Sequence, residues 1–176
     1  MKLKALLILG LALLVLLTVS SLNANEQDLD YKTKFIVKLV KFVEWPDGNK
    51  TGSDGNTLIA VIGNTALTEK INSKAKEVNS TNIVAKEMTI DDDFASAQIV
   101  FIATQDKSEL PAILKKVSGK PILTISDANY FANFGVMINF FKENDSSEVE
   151  FEVNKIVVDD SGLKISSKLL KMAKLL

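Results

Sequence analysis

The strongest constraint on this chain is an alternation. Between positions 58 and 125, short apolar runs of strand length trade places with segments whose apolar residues recur at helical spacing. Residues 58–62 read as a buried strand that stops at Gly63-Asn64. Residues 65–78 follow as a helix with Leu67, Ile71, Ala75 and Val78 on one face. Strands over 82–88 and 99–103 come next, then a helix over 108–117, with Ser108 as its cap and Pro111 in its first turn. Residues 121–125 form another strand. An order of strand, helix, strand, strand, helix, strand calls for a largely parallel sheet covered by helices.

The flanks extend this layer. In 29–43, Tyr31, Phe35, Leu39 and Phe42 line one helical face, Asp28 or Asp30 can cap the start, and Trp45-Pro46 stops the helix because a residue before proline is pushed out of the helical region. Residues 136–141 and 149–153 read as an antiparallel hairpin. Residues 154–160 are ambiguous between a helical turn and a strand, and Ser166 or Ser167 can cap a last helix over 168–175. The expected fold is α/β: a single mostly parallel sheet flanked by helices, with a C-terminal antiparallel hairpin and helix, forming one domain over 25–176. Residues 1–24 read as an export signal. Lys2 and Lys4 precede the run 5–17, apolar apart from Gly10, which falls short of the ~20 residues a spanning helix needs. Cleavage after Ser21 or Ala24 would leave an exported protein with no direct membrane insertion; an uncleaved anchor is the alternative.

What the chain lacks narrows its chemistry. It has no His and no Cys, and all 21 basic residues are Lys. Without His it loses the commonest general acid–base and the commonest metal ligand; without Cys it can form no disulfide; without Arg it has no bidentate fork for phosphates. Ser–His–Asp and Cys–His catalysis are impossible within it, and no spacing marks an acid pair for glycoside hydrolysis. No enzyme activity, metal or cofactor is expected. Without Lys2 and Lys4, 19 Lys stand against 22 Asp and Glu, a net charge of −3. That balance gives no reason to expect nucleic acid.

Three phrases then carry a resemblance: Phe42-Val43-Glu44-Trp45-Pro46; Pro121-Ile122-Leu123-Thr124-Ile125-Ser126-Asp127 with Phe131-Ala132 and Gly135-Val136-Met137-Ile138; and Gly162-Leu163-Lys164-Ile165-Ser166-Ser167-Lys168-Leu169-Leu170. From about Tyr31 onward the chain resembles the YfiR family. The resemblance implies a periplasmic regulator that binds the periplasmic region of an inner-membrane signalling protein and represses it, foremost a diguanylate cyclase controlling cyclic di-GMP and biofilm formation. Such a protein needs a binding surface and a second conformation or oligomeric state, a homodimer among them. The rival reading is a periplasmic module that binds a small ligand and feeds a sensor kinase or other envelope receptor.

Each candidate residue has a plain reading beside its functional one. Glu44, Trp45 and Pro46 either staple a helix end to the core or form a partner-facing anchor, with Phe131 as a second anchor. Gly63 and Asn64 either make an ordinary strand–helix turn or hold an anion at the helix start. Ser126 and Asp127 either cap a helical turn, with Tyr130, Phe131 and Phe134 entering the core, or anchor a ligand at a strand end. Asp91-Asp92-Asp93 either attracts a divalent cation or is a solvated connector, the reading favoured because consecutive residues seldom converge on one ion.

Overall fold

A computed structural model describes residues 25–46, 52, 54–80, 82–143 and 146–176. The expected export signal and most of the loop after Pro46 lie outside them. Helix α1 covers 25–39, strand β1 Val43–Glu44, β2 Thr57–Ile62, helix α2 Thr65–Glu77, β3 Ile83–Met88, β4 Ile99–Ile102, α3 Leu110–Val117, β5 Leu123–Ser126, and a 3-10 turn Phe131–Phe134. Then follow β6 Ile138–Phe141, β7 Glu150–Val153, α4 Lys155–Asp160, β8 Lys164–Ile165, α5 Ser167–Leu170 and β9 Lys174–Leu175.

Among the described residues, seven strands form a sheet in the order β3-β2-β4-β5-β6-β7-β9. The first five are parallel, β7 runs antiparallel to β6, and β9 lies parallel to β7. The expected mostly parallel sheet with its hairpin is what forms. Because the chain leaves β2 for β3 and returns to β4 on the other side, the sheet is doubly wound. Each face buries its own core. The larger joins Ile36, Leu39 and Val40 of α1 and Leu67 and Ile71 of α2 to Ile59, Phe101 and Phe140 of the sheet. The smaller packs Leu110, Ile113 and Val117 of α3, with Phe94 and Phe131, on Ala60, Val100 and Ile102.

The edge strand β3 is closed by a side chain. Asn72 of α2 accepts a hydrogen bond from the Ala85 N–H at 2.9 Å and donates one to the Ala85 carbonyl at 2.9 Å. Both groups point away from β2, so the amide occupies positions an added strand would use.

Four expectations need correction. The first helix ends at 39 rather than 43, unwinding through Lys41 N–H to Lys38 O (3.0 Å), because Val43 and Glu44 pair instead with Ile165 and Lys164 of β8. Asp28 and Asp30 sit inside α1 and form ion pairs with Lys142 and Lys34 rather than capping it. Ser108 does not cap α3; its N–H donates to Asp106, and Glu109 holds the cap position without a side-chain bond. The C-terminal helix is only Ser167–Leu170, capped by Ser166, and residues 174–175 turn into β9 because Val153 and Glu152 offer an open edge. The ambiguous stretch 154–160 is α4, where the Asn154 side chain accepts from the Val157 N–H at 3.2 Å.

Candidate functional site

Strand β5 delivers the chain to the carboxyl edge of the parallel sheet, the side where doubly wound folds place ligands. The loop that leaves it faces two ways. Ser126 fixes its root: the hydroxyl donates to the Ile102 carbonyl at 2.7 Å and accepts from the Ala128 N–H at 3.1 Å. Ser126 is therefore the turn-capping residue of the pair. Asp127 turns instead toward α1 and meets the Lys32 ammonium at 2.6 Å, both side chains mostly buried.

A second ion pair, Lys142 with Asp28 at 2.7 Å, stands nearby. These four residues, with Asn129, Phe140, Phe141 and Val149, line a cleft of about 250 Å³. Behind it Tyr31 meets Phe140 edge-on with ring centroids 6.2 Å apart, and burial pushes the Tyr31 phenol above its ordinary pKa. The remaining Asp127 oxygen, Oδ1, is buried without a hydrogen-bond partner among the described residues. Each lysine is neutralised by an aspartate, so a visitor must open an ion pair before it gains one.

Past Asp127 the loop changes face. Tyr130 adopts a left-handed backbone with φ of 68°. For an L-residue with a bulky side chain that conformation costs about 1–2 kcal/mol. It reverses the chain so that Phe131 drops into the smaller core and Ala132 is buried beside it in sequence. Gly135, at φ of 106°, ends the turn, and the Asn154 amide donates to the Ala132 carbonyl at 2.9 Å, clamping the turn to the start of α4. With its middle anchored, the loop holds its outer rings in water: Tyr130 is 67% exposed and Phe134 57%. Lys107, from the loop after β4, places its ammonium 5.5 Å from the Tyr130 centroid and 5.6 Å from that of Phe134. No carboxylate pairs with Lys107 among the described residues.

The residues singled out in the sequence fall elsewhere. Trp45 is only 7% exposed and belongs to the larger core, and Phe131 is fully buried. Neither ring offers a partner surface: Trp45 is the staple, and Phe131 is the root of the aromatic loop. Glu44 is exposed and Pro46 half-buried beside Gly162. Asn64 caps α2, accepting from the Leu67 N–H at 2.9 Å. Thr65 holds the Glu87 carboxylate at 2.8 Å beside that helix start, which opposes an anion there. Gly63-Asn64 and Ser126-Asp127 share the sheet's carboxyl edge, but β4 separates their strands, about 10 Å of sheet. In the acidic connector, Asp92 accepts from the N–H and hydroxyl of Thr89 and closes a turn. Sequence reasoning missed Tyr130, Phe134 and Lys107. The available signal was three rings crowded into five positions before a glycine, more than one short turn can bury.

The family model described as YfiR/HmsC-like matches residues 29–174. The chain belongs to the YfiR/HmsC-like family. At the level of that family, membership supports a regulatory, non-catalytic domain that acts from the periplasm on cyclic di-GMP signalling. No curated protein matches the chain. Among solved structures, an ABC domain from Streptococcus pneumonia in complex with L-Trp aligns at 12% identity with a TM-score of 0.49. The alignment covers 80% of this chain and 59% of that one, so this chain spans less than two thirds of its length.

Proposed function

We propose that this protein is an exported regulator that binds the periplasmic region of an inner-membrane signalling protein, foremost a diguanylate cyclase, and holds it inactive. The observation that carries the reading is the exposed pair Tyr130 and Phe134, presented by a strained backbone at Tyr130, on a chain without His, Cys or Arg. Strain at a bulky residue persists only where surrounding structure over-determines it, and such positions cluster at functional sites. Aromatic side chains also contribute more than their share of binding energy at interfaces. The docking face is therefore assigned to Tyr130 and Phe134, in place of the buried Trp45 and Phe131.

A second reading rests on the cleft between α1 and β6. Its lining of Lys32, Asp127, Lys142 and Asp28, with an unpartnered Asp127 oxygen, suits a small polar ligand carrying both charges. Because Asp127 and Tyr130 share one loop, a ligand there would act on the docking face rather than replace it.

The test is genetic and biochemical. Deleting the gene should raise cyclic di-GMP, and the wild-type gene should restore it. A Tyr130→Ala/Phe134→Ala double variant, present at normal abundance, should fail to restore it. Losing a hot-spot ring costs ~2 kcal/mol or more, roughly thirtyfold in affinity. Unchanged nucleotide in the deletion strain refutes repression of a cyclase.

A further inference from the structure

We infer that the segment gripped by Tyr130 and Phe134 presents a carboxylate between apolar side chains, and that Lys107 is its counter-charge. This rests on the docking face proposed above and adds the chemistry of the partner. Covering the two exposed rings must also cover the ammonium that stands over both of them. An entirely apolar partner would strip water from an unpaired cation, which costs more than the contact returns. A partner that brings a carboxylate converts this cost into a charge-assisted hydrogen bond.

The chain's own acids do not supply that group. The Asp106 carboxylate is taken by the Ser108 N–H at 2.8 Å, and Asp127 by Lys32 at 2.6 Å. Glu109, two residues along, makes no ion pair with Lys107. A lipid surface fits less well. Anionic headgroups recruit clusters of basic residues, whereas the patch has one lysine on a chain with 19 Lys against 22 acids after position 24. The two rings supply the apolar contacts on either side of the charge, so the matching segment alternates apolar, acidic, apolar.

A photo-crosslinking phenylalanine analogue at Phe134, in the full chain expressed in its native cells, reads the partner directly. Crosslinks should fall in the extracytoplasmic region of a membrane protein, on a segment where Asp or Glu lies between apolar residues. With that region purified, Lys107→Glu should weaken binding by about tenfold or more, more than Lys107→Gln, with unchanged melting of an exposed-site variant. Reversing the crosslinked carboxylate to lysine should restore binding to Lys107→Glu and weaken it for wild type. A crosslinked segment without a carboxylate, or wild-type affinity of Lys107→Glu, overturns the counter-charge while leaving the docking face standing. Crosslinks to lipid or to a second copy overturn the partner assignment. No crosslink from Phe134, in cells where deletion still raises cyclic di-GMP, removes the docking face but not the regulator.

Discussion

The left-handed tyrosine makes a prediction whose sign is unusual. Replacing Tyr130 by Ala and by Gly removes the same ring, so lost ring contacts cancel in the comparison. What differs is the backbone at φ of 68°. Alanine keeps a Cβ and with it the left-handed cost of about 1–2 kcal/mol. Glycine removes that cost but adds about 0.4–1 kcal/mol of freedom to the unfolded chain. The balance favours glycine by roughly 1 kcal/mol, and in a domain of this size each kcal/mol moves the melting temperature by about 2–4 °C. Tyr130→Gly should therefore melt a few degrees above Tyr130→Ala, the reverse of the order in a helix, where glycine is worse by about 0.5–1 kcal/mol. Calorimetry and urea midpoints on the two variants give the comparison. Partner binding should fall equally in both, because the ring is gone from both. If alanine melts at or above glycine, the backbone at 130 is not held left-handed, and the account of how the loop presents its rings fails.

Two further outcomes follow from the architecture. Asn72→Ala removes both hydrogen bonds that close β3, about 2 kcal/mol at ~1 kcal/mol each, and should lower the urea midpoint while raising self-association by sedimentation; an unchanged midpoint would show that the edge does not depend on this amide. In the turns, the amide of Asn56 holds Asp54, and the N–H of Thr89 holds Asp92, below the usual carboxylate pKa. A depressed folded pKa adds stability that is complete above the unfolded value and is lost as pH falls below about 4. Since the chain has no His, melting should be nearly flat between about pH 5 and pH 8, and a marked decline within that window in a series of melts would contradict this.

The parts legible in the sequence are those whose signal is local. β2, β4 and β5 are runs buried on both faces, which parallel strands between helices require. α2 carries its apolar residues at helical spacing, with its cap directly before it. The misread pieces take their structure from distant partners. Val43-Glu44 continues a helical pattern and becomes a strand only because β8 lies opposite, and residues 174–175 leave their helix for the edge of β7. The exposed aromatic loop was hidden from the sequence for a related reason. Tyr130, Phe131 and Phe134 are alike to any local measure, and which ring goes in is decided by the backbone reversal at Tyr130 and the clamp from Asn154. Lys107 reaches the rings from another loop, a meeting that exists only once β4 and β5 lie side by side.

The pairing of β1 with β8 also sets an order of events. α1 is the first described element, yet Phe35 rests on Phe140 and Phe151, and Val43 needs Ile165 near the other end of the chain. The first helix thus has no seat until almost everything after it exists. Until then its stripe of Ile36, Leu39 and Val40 stays open to water or to a chaperone, and closure waits on one of the longest loops the chain can form. A polypeptide emerging N-terminus first would therefore keep this helix unlatched until the segment around Ile165 appeared.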